Sequence, residues 1–260
     1  MENRVQLRDL PPQVRGLLIE LRNGLVKTLQ QNLVGIYLFG SIVFPGYEPL
    51  SGDIDFYVVV KRVLKEKEKN ELDNLHRGLA GEFRFGKLLD GFYITLAKAR
   101  RSTSPRGLPY AANGHLHTGG SDSDWALHRE HFHRGASMLL YGRNPRRVFP
   151  RSSWRQIERA LNENLAYAKK QLRRYPFWSV MQLCRLIRSF QKGVADISKV
   201  EAARWALEEL PSAWRPLIRS AMRVYHGRGT ERDRKLLKEN ARAFFTFASK
   251  QIARMKQREL

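Results

Sequence analysis

Two short apolar segments, residues 33–39 and 54–60, constrain the fold of this 260-residue chain more than any other feature. Each has the length and the Val, Ile, Phe and Tyr content of a buried strand. A third such segment, residues 92–96, follows a charged stretch, residues 64–82, that has the composition of a helix. The order of strand, turn, strand, helix and strand predicts an α/β domain.

The segments around these strands have other patterns. Residues 12–27 have helical spacing, with their leucines on one side. Residues 100–120 are rich in Pro, Gly and Ser, which indicates a loop. From Ser152 onward the pattern is helical almost to the end of the chain. We therefore expect an α/β domain over residues 1–150 and an all-α domain over residues 151–260.

Capping and helix-breaking residues divide the C-terminal part into five predicted helices. We expect them to begin after Ser152 or Ser153, near Phe177, after Ser198, after Pro211 and after Thr230. Ser198 and Glu201 have the spacing of a capping box, in which each side chain accepts a hydrogen bond from the other residue's backbone N–H.

The chain is strongly basic, with 47 Lys and Arg residues against 25 Asp and Glu residues and a net charge of +22. Residues 151–260 hold 25 of the bases and 10 of the acids. Such a surplus favours polyanionic partners, namely nucleotide phosphates, nucleic acid or an acidic protein. A solvated basic surface without any partner is the alternative.

Several classes of protein are disfavoured by composition. No apolar segment approaches the roughly 18 to 20 residues of a membrane helix, and the N-terminus lacks the apolar segment of a signal peptide. The one cysteine, Cys184, cannot form an internal disulfide. We therefore expect a reduced, cytoplasmic protein that makes no membrane contact and is a monomer.

A Gly-Ser pair and an Asp-x-Asp motif stand beside the first two strands. Gly40 opens a turn whose amides can hold a phosphate, and Ser41 adds a hydroxyl. Asp53 and Asp55 project from the same face of a strand because they are two residues apart. Paired carboxylates suit magnesium, which proteins bind through one or two carboxylates plus substrate phosphates. The alternative is a plain turn followed by two solvated acids.

Gly40-Ser41 with Asp53-x-Asp55 resembles the signature of the DNA polymerase beta-like nucleotidyltransferase superfamily. Within it, the chain is most similar to the bacterial aminoglycoside adenylyltransferases of the streptomycin and spectinomycin type. The further segments that carry the resemblance are residues 125–129, 140–145, 183–186 and 197–211.

The resemblance implies both a fold and an activity. The fold is an N-terminal nucleotidyltransferase domain, with a mixed sheet flanked by helices, joined to a C-terminal helical domain. The enzyme transfers AMP from ATP to an acceptor hydroxyl and releases pyrophosphate, with the help of two magnesium ions. In this family the acceptor is an aminoglycoside, and the transfer confers antibiotic resistance.

The resemblance also assigns roles to the residues that hold the nucleotide. It implies that Gly40 and Ser41 hold the triphosphate and that Asp53 and Asp55 bind magnesium. It further implies that Lys199, in the first turn after the predicted Ser198 cap, reaches the phosphates.

The general base for the acceptor hydroxyl is less closely matched. The candidate is Asp90, where better-known members of the family have a Glu directly before a strand. The following Gly91 indicates a β-bulge, and an Asp-Gly turn without a catalytic role is the alternative.

The acceptor side departs from the family pattern. The family holds its polycationic acceptor with acidic and aromatic residues, and the aromatic candidates here are Trp125, Tyr175 and Trp178. Arg173 and Arg174 stand beside them and no carboxylate does. The acceptor therefore stays open between a small molecule and a nucleic acid or protein bound through the basic C-terminal surface. A non-catalytic nucleotide-binding module is the third reading.

Five of the seven histidines fall within one short segment, as His115, His117, His128, His131 and His133. A zinc site is one interpretation. The favoured interpretation is a basic, partly protonated loop near the nucleotide.

Overall fold

The computed structural model describes residues 5–45, 47–49 and 52–257. The chain divides into two compact units, Met1–Ser152 and Ser153–Leu260. Within the described ranges, no helix is both long and apolar enough to span a bilayer.

Six strands form one sheet in the described part of the first unit. They are β1 (Leu33–Phe39), β2 (Ile54–Val60), β3 (Leu89–Thr95), β4 (Arg106–Ala112), β5 (His115–Ser121) and β6 (Met138–Gly142). Their spatial order is β5-β4-β3-β2-β1-β6. Because β2 and β3 pair in parallel and the other neighbours pair antiparallel, the sheet is mixed.

The helices of the first unit are α1 (Pro12–Leu29), α2 (Glu66–Glu82), the single-turn α3 (Leu96–Ala99) and α4 (Trp125–His133). Aliphatic side chains of the strands share one buried cluster with those of α1 and α2. A second cluster, on the alternate strand residues, is largely aromatic and includes Tyr37, Tyr57, Trp125, Phe132 and Phe149. The two clusters follow from the period of two in a strand, which sends successive side chains to opposite faces.

The predicted loop over residues 100–120 is wrong, because most of that segment forms the β4–β5 hairpin. The turn is Asn113-Gly114, whose φ angles are 53° and 81°. A two-residue hairpin turn of this kind needs positive φ at both positions, which Asn and Gly adopt most readily. The Asn-Gly pair was the sequence signal for this hairpin, and the surrounding Pro, Gly and Ser residues obscured it.

The second unit is helical, with α5 (Trp154–Gln171), α6 (Pro176–Lys192), α7 (Lys199–Glu209), α8 (Arg215–Tyr225) and α9 (Glu231–Gln257). The predicted cap of α7 is confirmed: Glu201 N donates to Ser198 Oγ at 3.0 Å, and Ser198 N donates to Glu201 Oε2 at 2.9 Å. Ser153 and Thr230 cap α5 and α9 in the same way. The fold class predicted from the sequence, a mixed sheet flanked by helices with a helical C-terminal region, is confirmed.

Candidate active site

Gly40 brings the Gly-Ser turn and the Asp-x-Asp motif together. Its φ is +74°, a left-handed conformation that favours glycine. A Cβ atom at this position would lie 1.9 Å from Asp55 Oδ2 and 2.8 Å from its Cγ. The Asp55 carboxylate therefore occupies the space that any side chain at position 40 would need.

Strand register then places Asp90 beside Asp55. The two are partners on the parallel strands β2 and β3, so their side chains project from the same face. Burial, followed by the negative charge of Asp53, raises the pKa of Asp90 to about 6. Asp53 is exposed just before β2, and Asp55 and Asp90 are partly buried. The structure thus places Asp55 and Asp90 on one face of the sheet, with Asp53 near enough to raise the pKa of Asp90.

The backbone around Asp90 is regular. The β2–β3 pairing runs without a register shift from Ile54 and Leu89 to Val60 and Thr95. The bulge expected at Gly91 is therefore absent from this fully described pairing. A glycine is needed at position 91 for packing, because a Cβ atom there would lie 2.5 Å from the Phe56 ring. Asp90 lies in a strand and not in an Asp-Gly turn.

A buried network beneath these acids was not predicted. Asp122 accepts a hydrogen bond from the Tyr57 hydroxyl, and its Oδ2 lies 2.8 Å from His128 Nδ1. Burial disfavours the His128 cation, but the negative charges of Asp122, Asp124 and Asp55 outweigh burial and raise the pKa of His128. The same pair lowers the pKa of Asp122 despite its burial. The His128–Asp122 pair is therefore electrostatically linked to the Asp55 carboxylate.

The histidines do not gather into one basic loop. His115 and His117 belong to β5, whereas His128, His131 and His133 belong to α4. Among the described residues there is no group of three or more His, Cys, Asp or Glu side chains that could hold a metal ion. The zinc interpretation therefore has no site in the described ranges. Magnesium that binds together with a triphosphate needs only one or two protein carboxylates, and Asp53 and Asp55 could supply them.

Trp125 is a core residue. Its side chain is fully buried, it packs edge-on against Tyr57 and Phe149, and its Nε1 donates to the carbonyl of Arg101 at 2.9 Å. Contact with a substrate would require this core to open. The expectation that Trp125 touches the acceptor is therefore not supported by its place in the fold.

In the second unit, Lys199 lies beside one of the two remaining aromatic candidates. Its Nζ is 5.5 Å from the centre of the Trp178 ring, which also packs edge-on against Tyr167 at 5.5 Å. Tyr175 is 41% exposed, with the guanidinium of Arg174 at 5.1 Å from its ring centre. Both aromatic side chains thus already contact cationic groups of the protein, and this lowers their attraction for a cationic acceptor.

The acids of α5 are similarly matched by bases. A surface pocket of the second unit is lined mainly by Arg155, Glu158, Arg159, Asn162 and Glu163. Its two carboxylates face two guanidinium groups, so this pocket has no surplus negative charge for a polycation.

Comparison with known proteins gives a family match and a match in fold. Residues 147–251 match the family described as aminoglycoside adenylyltransferase, C-terminal domain. Over 92% of this chain and 98% of the other, the fold is similar to that of spectinomycin adenyltransferase AAD(9) from Enterococcus faecialis, solved with ATP and spectinomycin. The TM-score is 0.73 and the sequence identity is 21%. No curated protein matches the sequence. The chain is therefore similar to the aminoglycoside adenylyltransferases, in sequence across residues 147–251 and in fold over most of its length.

Proposed function

We propose that this protein is a metal-dependent nucleotidyltransferase that transfers AMP from ATP to an acceptor hydroxyl and releases pyrophosphate. The observation that carries the proposal is the arrangement of Gly40, Asp55 and Asp90. The carboxylate of Asp55 fills the space above Gly40, and Asp90 is its partner on the next strand. Such a cluster of acids beside a Gly-Ser turn costs stability unless a cation joins it.

The donor side of the site would use residues of both motifs. Asp53 and Asp55 would hold magnesium, and the backbone and hydroxyl at Gly40 and Ser41 would hold the triphosphate. Magnesium, when bound, would offset the negative charge that develops on the pyrophosphate. We further propose that Lys199 contacts the triphosphate, as the resemblance implies.

Asp90 would act as the general base. A base works best when its pKa lies near the working pH, and a pKa of about 6 meets that condition better than an ordinary aspartate does. The acceptor hydroxyl gives its proton to Asp90 while its oxygen bonds to the α-phosphorus. The bond from that phosphorus to the pyrophosphate oxygen breaks, so the products are an AMP ester and pyrophosphate.

The acceptor has two candidates. The structural neighbour was solved with spectinomycin, which supports a small-molecule acceptor such as an aminoglycoside. With that acceptor, we propose that the protein acts in the cytoplasm and confers antibiotic resistance. Residues 151–260 hold 25 bases and only 10 acids, and this positive surplus favours a nucleic acid as the acceptor instead. A nucleic-acid acceptor would bind much less tightly as salt rises from about 50 to 200 mM, because each phosphate contact releases counterions, whereas binding of a small molecule, which makes few charged contacts, would change much less.

One assay tests the activity. The protein and its Asp53→Asn/Asp55→Asn double variant are incubated with radiolabelled ATP, magnesium and a panel of aminoglycosides, tRNA and proteins. We expect label to move to one class of acceptor with the natural sequence and to stay on ATP with the variant. Equal transfer by both proteins, or a rate independent of magnesium, would refute the proposal.

A further inference from the structure

The face of the sheet that carries Asp90 continues toward the β5 edge as a row of aromatic rings. Phe92 follows Asp90 by two residues, so both project from the same face. Strand register pairs Phe92 with Tyr110 on β4, and Tyr110 with His117 on β5. The centroids of neighbouring rings are 6.1 Å and 5.0 Å apart, and Tyr57 on β2 stacks on Phe92 at 5.7 Å. We call Phe92, Tyr110 and His117 the aromatic row.

The aromatic row becomes more exposed with distance from the core. Tyr57 is fully buried, Phe92 and Tyr110 are partly buried, and His117 is exposed. An apolar ring at the end of a sheet loses favourable burial when it stays in water. Two adjacent, partly exposed rings next to a carboxylate on the same strand face are typical of a small-molecule site.

Gly120 on β5 helps to keep this surface open. A Cβ atom at Gly120 would lie 2.7 Å from the Tyr110 ring and 3.0 Å from the Phe92 ring. The φ angle of Gly120 is not in the left-handed region, so the backbone there does not demand a glycine. A glycine is needed because the Tyr110 and Phe92 rings occupy the space that a side chain would fill.

The charge on this face limits what can bind. The residues of β4 and β5 that share it are Leu108, Tyr110, Ala112, His115 and His117, and none of these described residues is acidic. Other carboxylates near this face already have partners, since Asp122 accepts a hydrogen bond from Tyr57 and Asp73 accepts one from the backbone N–H of Leu116, while Asp53 and Asp55 would hold magnesium. Asp90 is the acid on the strand next to the aromatic row. A polycation would need several carboxylates to replace its hydration.

We infer that Phe92 and Tyr110 form the acceptor subsite, and that the acceptor is a neutral or singly charged polyhydroxylated ring of the sugar or cyclitol class. The inference rests on the proposed function. The C–H face of such a ring would cover the two aromatic rings and remove their apolar surface from water, while one of its hydroxyls points toward Asp90 two residues away on β3. Asp90 then takes the proton of that hydroxyl, and the hydroxyl oxygen bonds to the α-phosphorus of ATP as pyrophosphate leaves.

The test compares acceptors and variants at saturating ATP and magnesium. Neutral probes are myo-inositol, glucose and uridine, and cationic probes are spectinomycin and streptomycin. We expect labelled AMP to appear on at least one neutral probe. We expect Tyr110→Ala to raise its KM about tenfold, as loss of a central aromatic contact does, while the dissociation constant of ATP stays unchanged. Tyr110→Phe keeps the ring and should keep the KM.

Two further variants separate a subsite from a structural role. Tyr141 is 41% exposed on β6, at the opposite edge of the sheet, so Tyr141→Ala removes a comparable ring and should leave the KM unchanged. His117→Ala changes an exposed residue at the outer end of the aromatic row and should raise the KM less than Tyr110→Ala does. Thermal melting shows which variants are folded.

The outcomes distinguish the inference from the proposed function. Transfer only to the cationic probes, no transfer to any probe by a protein that binds ATP and magnesium, or an equal KM for Tyr110→Ala and the natural protein would overturn the subsite. Failure of the proposed function itself would appear in the assay with the wider acceptor panel, as transfer that is equal for the natural protein and the Asp53→Asn/Asp55→Asn variant or independent of magnesium.

Discussion

The two faces of the sheet are made by alternate residues of the same strands, yet they bury different chemistry. On one face, Ile54, Phe56 and Val58 of β2 join the leucines of α1 in an aliphatic cluster. On the other face, Asp55 belongs to the group of acids, and Tyr57, two residues later, belongs to an aromatic cluster. Both faces gain free energy from burial, but the second also holds repelling carboxylates at the end of its aromatic cluster. The comparison teaches that the first face serves stability and that the acidic end of the second gives up some stability to hold charged groups together.

The largest expected effect lies on the acidic face. Replacing Asp90 with Asn removes the proposed base, so we expect kcat for AMP transfer to fall about 10³-fold, within the usual range for a lost general base. The free energy of unfolding should stay the same or rise, because a carboxylate whose pKa is raised by burial and by Asp53 is removed. Steady-state kinetics and urea unfolding measure the two quantities. Glu71→Gln, on the surface of α2, is the matched control and should change neither.

The aliphatic face should behave in the opposite way. Leu21 of α1 is fully buried, so Leu21→Ala should lower the free energy of unfolding by about 3 kcal/mol, as is usual for a leucine truncated in a core. The KM and kcat of the folded variant should stay near those of the natural protein. Val63→Ala, at a position that is 71% exposed, should leave stability unchanged. A large fall in kcat for Leu21→Ala below its melting temperature would show that the two faces are coupled.

Gly40→Ala tests the contact that joins the two motifs. The added Cβ would overlap Asp55 Oδ2 and would have to adopt a φ of +74°. We expect Asp55 to be displaced and AMP transfer to fall about 10²-fold, since misplacing a reacting group by about 1 Å has this effect. A parallel titration with ATP and magnesium should show weaker binding. Unchanged binding and rate would mean that the approach of Asp55 to the turn does not matter for function.

The smallest effect concerns a histidine on the aliphatic face. Burial lowers the pKa of His76 to about 4, and its Nε2 lies 2.6 Å from the Tyr93 hydroxyl. The unfolded chain binds a proton at His76 below about pH 6.5, whereas the folded protein stays neutral there until about pH 4. The free energy of unfolding should therefore fall as the pH drops through this window, by about 2 kcal/mol at pH 5.

His76→Gln removes that titration. Unfolding by urea at a series of pH values should show a shallower acid dependence for the variant than for the natural protein. If the two curves are parallel between pH 4 and 6.5, the pH response belongs to other groups.

The carboxylates and the strands that bear them could be predicted because their signals are local. The bounds of β1 and β2 match the predicted segments, since each is a compact apolar run. The paired acids follow from a spacing of two residues, and the helix caps from a spacing of three. β3 begins at Leu89, before the apolar run at residue 92, because its pairing with β2 extends the strand through Asp90 and Gly91.

Other features depend on contacts between distant parts of the chain, which spacing does not encode. The β4–β5 hairpin has a local signal in Asn113-Gly114, but its place in the sheet depends on the pairing of β4 with β3. Trp125 was an aromatic residue near a predicted site, and only tertiary packing shows that it is buried. The sequence shows Asp122 and His128 only as two polar residues, and the tertiary structure brings them into a buried hydrogen-bond network with Tyr57.

Gly40-Ser41, Asp53 and Asp55 were thus determined by the sequence itself, because turn geometry and strand alternation act over a few residues. The position of Asp90 beside Asp55, and of Phe92 and Tyr110 beside Asp90, was decided by the register of strands far apart in the chain. Register depends on which faces the whole sheet buries, and that is a property of the tertiary structure.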